Sequence, residues 1–246
     1  MCRKDTSIFS WSVPEYRIPV TPISLSPSAR ELLLDIYLIS ERKPSEPDFI
    51  DVSDINGRWS SPTSLNRTIL RLEELGFIDY QRYRGVRLTE AGQQAALYWL
   101  RRLRIAEVFL KDVMGFAWDE IPDEAARLIG GMNELLTQRM FDLAGAPQIS
   151  PYGEPIPDAA GRMPDIHDQP IWRAPLKTAL VITRIATRDR DRLKYIDALQ
   201  LVPGTALQVI HVAPFEGPLQ LALTGEYRII GHSLAEIIFV RLPAQT

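Results

Sequence analysis

The stretch SSPTSLNRTILRLEELGFI, Ser60 to Ile78, decides how this chain is read. Leu65, Ile69 and Leu72 recur at i, i+4 and i+7, which is one buried face of a helix. Ser61 is placed to cap that helix and Pro62 suits its first position, because a proline there gives up an N–H that has no partner anyway. Gly76 supplies the stop, and an apolar run begins at Phe77. The face opposite the leucines carries Ser61, Thr63, Asn66 and Arg67, all small, polar or basic. That face needs an explanation.

The flanking sequence supplies one. Upstream, Ser26-Pro27 opens a helix whose apolar face is Leu32, Leu33, Ile36, Tyr37 and Ile39, ending near Arg42. Val52-Ser53-Asp54 begins a short helix, with Ser53 as its expected cap, continuing to about Trp59. Downstream, Phe77–Arg82 and Val86–Thr89 pair as strands around Arg84-Gly85. The order helix, helix, turn, helix, two-stranded hairpin is that of a winged helix-turn-helix, expected over 26–92 and preceded by an irregular arm over 1–25, where Pro14, Pro19 and Pro22 break regularity. In such a unit the helix after the turn enters the major groove and its N-terminal residues meet base edges. Ser61, Pro62, Thr63 and Asn66 are the expected base-edge contacts. Ser64, Arg67, Arg82, Tyr83, Arg84 and Arg87 are the expected phosphate contacts, which set register without reading sequence. The competing reading is a solvated helix face beside a charged hairpin. Between Arg58 and Lys111 there are ten Lys/Arg against five Asp/Glu, although the whole chain has a formal charge of -3, so a phosphate-facing surface has to be local.

The rest of the chain divides by composition. Thr89 caps a long helix reaching about Val113, IPDEAARLIGG follows as a shorter helix, and Asn133 caps ELLTQRMFDLA. This is a helical region over 93–146, suited to dimer contact, since two-fold symmetry would match a palindromic site. Residues 147–175, rich in Pro, Gly and Asp, read as a flexible linker. Alternating apolar runs separated by turns then predict a small β-barrel of about five strands over 176–243. The fold class is α+β.

The composition excludes several classes. No apolar run in the 246 residues approaches the ~20 needed to span a bilayer, and the N-terminus lacks the apolar core of a signal peptide, so a cytoplasmic location is expected with no membrane partner. The single cysteine, Cys2, cannot form an internal disulfide. His167, His211 and His232 lack a second ligand at metal spacing. Asp119, Glu120, Asp123 and Glu124 read as complements to a helix N-terminus. There is no nucleophile–base pair, phosphate loop or paired metal-ligand motif, so no enzyme is expected.

Several motifs also resemble a known family. SPTSLNRTILRLEELGFI followed by YRGVRLTEAG, the long helix with RIAEVFLKDVMG, the segment IPDEAARL and the phrase SPYGEPIP resemble the diphtheria toxin repressor/manganese repressor (DtxR/MntR) family. YIDALQLVPGTALQVIHVAPFEGP with AEIIFV is similar to the SH3-like, FeoA-type domain of its longer members. The resemblance covers Ser26 to Leu242. It implies a homodimeric transcriptional regulator, usually a repressor, that binds double-stranded DNA when Mn2+ or Fe2+ fills two neighbouring sites. The ligand positions that the resemblance implies fall at Leu103, Pro122, Ala126, Ile129 and Gly130, with a carboxylate from the SH3-like domain falling near Arg184. Only Glu31 and Glu107 keep a usable donor. A transition-metal site needs several N, O or S donors converging at about 2 Å, and hydrocarbon offers none, so no metal cofactor is expected.

Three readings therefore stand side by side: a metal-independent DNA-binding regulator of an inverted-repeat operator, with a small-molecule or protein ligand at the SH3-like domain as a candidate signal; an Mn- or Fe-responsive repressor using displaced ligands; and a protein-interaction module that has lost DNA binding.

Overall fold

The computed structural model describes residues 25–42, 49–56, 59 and 61–243; the expected arm and Cys2 lie outside them. Helix α1 spans Pro27–Arg42, and Ser26 caps it by accepting the Ala29 N–H at 3.2 Å. Helix α2 spans Val52–Asn56. Its cap is Asp51 rather than the expected Ser53: Asp51 Oδ1 accepts from both the N–H and the hydroxyl of Ser53 at 2.7 Å. A carboxylate is the stronger acceptor, so it takes the capping place two residues earlier.

Helix α3 spans Pro62–Glu74, with Ser61 as N-cap and Leu65, Ile69 and Leu72 buried. Strands β1 (Ile78–Gln81) and β2 (Gly85–Leu88) pair antiparallel, Ile78 opposite Leu88 and Gln81 opposite Gly85. The hairpin gains a third partner that periodicity did not predict: Ile50 bridges Val86, with Ile50 N–H to Val86 O at 2.7 Å and Val86 N–H to Ile50 O at 2.9 Å. Gly85 permits this approach. Its φ is +109°, and a Cβ there would lie 1.9 Å from the Ile50 carbonyl oxygen.

Helix α4 spans Glu90–Val108 and runs on as a π-helical turn over Phe109–Val113. Thr89 caps it by accepting the Gly92 N–H, and the Thr89 hydroxyl donates to Gly76 O at 2.7 Å, pinning the end of α3 to the start of α4. Helices α5 (Ile121–Leu128) and α6 (Glu134–Leu143) follow, α6 capped by Asn133 as expected.

Residues 147–175 are not a free linker. Ile149 bridges Pro155, Tyr152 is fully buried, and Ser150, Glu154 and Ile156 are nearly so. Arg101 and Arg104 of α4 donate to the carbonyls of Pro157 and Pro155 at 2.6 and 2.5 Å. The prolines of this loop carry no N–H to pair its carbonyls locally, and the two arginines of α4 satisfy those of Pro155 and Pro157.

The C-terminal part is a six-stranded antiparallel sheet in the order β3-β8-β4-β5-β6-β7. The strands are β3 (Gln169–Pro170), β4 (Leu180–Ile185), β5 (Ala206–Val212), β6 (Leu219–Leu223), β7 (Glu226–Ile230) and β8 (Ile238–Arg241). The five longer strands are those expected from alternation. A helix that alternation missed, α7 (Arg190–Ala198), joins β4 to β5, capped by Asp189, and a short α8 (His232–Ala235) precedes β8.

Candidate nucleic-acid interface and ion positions

Two places follow from the sequence: the polar face of α3 with its wing, and the positions where metal ligands were expected. On α3, Thr63, Asn66 and Arg67 are exposed together with Leu70, one stripe at i, i+3, i+4 and i+7. Pro62 is exposed at the first helical position. Ser61 is committed as the cap, its Oγ accepting the Ser64 N–H at 3.1 Å, and Ser64 is half-buried.

At the wing, Tyr83 is 91% exposed at the tip of the turn, with φ +69°. The Arg82 guanidinium lies 5.1 Å from its ring. Arg84 donates to Gln81 Oε1 at 2.9 Å and stacks 4.5 Å from the Phe49 ring. Arg87 pairs with Asp79 at 3.0 Å and lies 4.8 Å from Phe49, its side chain still 42% exposed. Arg87 therefore braces the wing from the same exposed surface that carries Arg67, Arg82 and Arg84.

The residues at the expected ion positions take up other places in the fold. Leu103 is half-buried against the core, Ile129 is buried, and Pro122 sits in the first turn of α5. Ala126 and Glu31 lie on exposed faces. Gly130 faces the Arg30 guanidinium, which a Cβ at that position would meet at 2.9 Å. Arg30 in turn stacks 4.8 Å from the Trp99 ring.

Glu107 is completely buried, and its partner is Arg188: Nε to Oε1 at 2.7 Å and Nη2 to Oε2 at 3.3 Å. Arg188 Nη2 also meets Glu154 Oε2 at 2.5 Å. Arg104, fully buried on α4, lies 3.3 Å from Glu154 and 3.7 Å from Glu41 of α1. The expected Arg184 is not in this cluster. It forms a two-pronged pair with Asp168 at 2.8 and 3.0 Å, over the Phe239 ring. A β-bulge between Ile182 and Arg184 shifts the register along β4 just before it.

Burial pushes the Glu107 carboxyl above the ordinary range, more than Arg188 pulls it down. Burial also opposes charge on Arg188, but Glu107 and Glu154 outweigh it, and the guanidinium is held charged. A transition ion does not fit this donor set. Glu107 and Glu154 are present, but Arg188 lies between them and Arg104 lies beside them, and two guanidiniums repel a dication. Among the described residues, no three His, Cys, Asp or Glu side chains group as an ion would need. Of the acidic residues at the start of α5, Asp123 and Glu124 stand in its first turn as expected, Glu124 also pairing with Arg127, whereas Asp119 holds Arg190 and Lys194 of α7 at 3.0 and 3.6 Å.

Two family models match the chain: iron dependent repressor, metal binding and dimerisation domain, over residues 89–158, and the FeoA domain, over 170–242. Through both domains the chain is similar to the DtxR/MntR family. Among its relatives, the iron-dependent repressor IdeR of Mycobacterium tuberculosis is 37% identical over 98 residues, which is 40% of this chain and 42% of that protein. The diphtheria toxin repressor of Corynebacterium diphtheriae is 31% identical over 98 residues, 40% and 43% of the two chains. The matched stretch thus spans about two-fifths of these curated relatives. Among solved structures, a manganese-dependent transcriptional repressor in complex with manganese superposes with a TM-score of 0.77 at 28% identity, covering 87% of this chain and 99% of that one. The IdeR of T. acidophilum gives 0.75 at 25%, covering 87% and 97%. These relatives are repressors rather than enzymes. No helix among the described residues is long and apolar enough to cross a membrane.

The residue types at the expected ligand positions are legible in the sequence itself. The arginine that meets Glu107 is not. Arg188 stands 81 residues from Glu107 in the chain, and nothing local distinguishes it from Arg184.

Proposed function

We propose that this chain is a homodimeric, sequence-specific DNA-binding transcriptional regulator of repressor type, acting on an inverted-repeat operator and not switched by a dissociable metal ion. The observation that carries the reading is the pairing of an exposed polar stripe on a capped, buried-backed α3 with a Glu107 that is held by Arg188 among expected ligand positions otherwise lacking donors. Ser61, Pro62, Thr63 and Asn66 read base edges. Arg67, Arg82, Tyr83 and Arg84, with Ser64, meet phosphates, and Arg87 sets the pose of the wing. The relatives' printed names support a repressor's role. The same names, manganese-dependent and iron-dependent, favour a second reading in which displaced ligands keep metal control.

A binding selection over random duplex DNA, followed by affinity measurements in Mn2+, Fe2+ and chelator, separates these. A palindromic motif, bound with an affinity that metal and chelator leave within about threefold, is expected. A many-fold rise with metal overturns the metal-independent part. Absence of any enriched motif overturns DNA reading itself and favours an interaction module. Within the same assay, Arg67→Ala weakens binding to all sequences and flattens the slope of log K against log salt by about one unit; an unchanged slope removes Arg67 from the phosphate set.

A further inference from the structure

Arg188 follows β4 and precedes α7, so it belongs to the FeoA-type part of the chain. Its fork reaches Glu107 on α4 and Glu154 on the 150–156 loop. Its plane lies 4.0 Å from the centroid of the Tyr152 ring. Nη1 donates to the Thr187 carbonyl at 3.0 Å. Tyr152 is fixed in turn: its hydroxyl donates to Trp118 O at 2.8 Å, and its carbonyl accepts the Ile185 N–H at 2.8 Å. Gly153 lets the loop touch β4, since with φ +81° a Cβ there would lie 1.8 Å from Thr183 O. One side chain thus joins three segments that are distant in sequence.

We infer that Arg188 is a tethered resident cation: it supplies, between α4, the 150–156 loop and the FeoA-type domain, the positive charge that an exchangeable divalent ion would otherwise supply, and keeps the three docked without a dissociable ligand. Two carboxylates alone in this interior would repel one another and stay poorly solvated. A guanidinium answers both with a planar fork that stays charged at any physiological pH. Its cost of leaving water is offset by the Glu107 and Glu154 carboxylates and the Tyr152 face. The consequence is regulatory. An exchangeable ion makes docking depend on its concentration; a covalently attached one has a fixed local concentration and makes docking constitutive.

The inference rests on the metal-independent reading, yet it concerns docking alone, and its readout uses no DNA. Hydrogen exchange of residues 103–110 and 150–156 is measured in the full chain as wild type, R188K and R188M, each with millimolar Mn2+ and with chelator. Wild-type exchange should not move more than about twofold between the two conditions. R188M, which keeps an apolar stem without the charge, should exchange at least about a hundredfold faster in these segments. R188K, which keeps the charge without the fork, should stay within about tenfold of wild type. Protection of R188M equal to that of R188K shows that charge is not what holds the segments and overturns the inference, as does a wild type protected by Mn2+ and released by chelator. If R188M does not fold, a folded and protected R188K supports the inference, and failure of both to fold overturns it. A chain that passes this test and selects no DNA motif refutes the proposed function alone.

Discussion

Ser61 shows how much a single side chain does at the candidate reading surface. Its Oγ accepts the Ser64 N–H at 3.1 Å, satisfying one of the donors that the start of α3 leaves without an intrahelical partner. It therefore sets where α3 begins, and with that the angle from which Thr63, Asn66 and Arg67 leave the surface. Ser61→Ala is expected to cost about 1 kcal/mol of stability, read by chemical denaturation, while Ser61→Asp retains the cap and the stability. A Ser61→Ala chain as stable as wild type would mean that the cap contributes nothing to the anchoring of α3.

At the scale of an element, α6 and the end of the long helix carry the clearest unmet demand. Leu135 is 63% exposed and Leu143 69%, two turns apart on one helix, with Val113, Met114 and Ile149 also exposed. Scattered surface leucines need no explanation, but this many large apolar groups within the stretch that matches a dimerisation domain call for a partner. A second copy of the chain is the partner that the proposed function requires. The double substitution Leu135→Asp, Leu143→Asp is expected to convert a dimer into a monomer in sedimentation. It should also lower affinity for a two-half-site operator at least about tenfold, since each half-site then binds alone. A variant that remains dimeric would move the interface elsewhere. The hairpin illustrates the complementary point: alternation predicted β1 and β2, but the Ile50 bridge arrives from before α2, and it braces the wing from a segment that no hairpin pattern contains.

At the scale of the whole molecule, the buried ion network makes stability depend on pH in an uncommon direction. Glu107 faces Arg188, Glu154, Arg104 and Tyr152. Burial raises its carboxyl pKa above the ordinary 4.5. A raised folded-state pKa means that the native state holds a proton which the unfolded chain releases. The associated stability is complete below 4.5 and is lost as pH rises through the folded value. Relative to Glu107→Gln, which cannot titrate, the wild type should therefore gain in Tm when the buffer is moved from neutral to about pH 5. A difference that stays flat, or shrinks on acidification, would show that pairing with Arg188 outweighs burial at this carboxyl.

What could be read without a structure was local. The order of helices and hairpin, the polar stripe of α3 and the five longer strands of the C-terminal sheet follow from periodicity, caps and turns within windows of a few residues. The identities of Leu103, Ala126, Ile129 and Gly130, the positions where the resemblance leads one to expect ligands, are local too. The tertiary structure alone decided which distant side chains meet. It drew Arg188 rather than Arg184 to Glu107, laid Arg87 against Asp79 across the hairpin, and packed the supposed linker around Tyr152. The physical reason is that an ion pair across 81 residues has no signature in either neighbourhood. Any of the 28 Lys/Arg could answer a buried carboxylate, and only the path of the backbone, set by the bulge in β4 and the close approach at Gly153, brings one of them within reach.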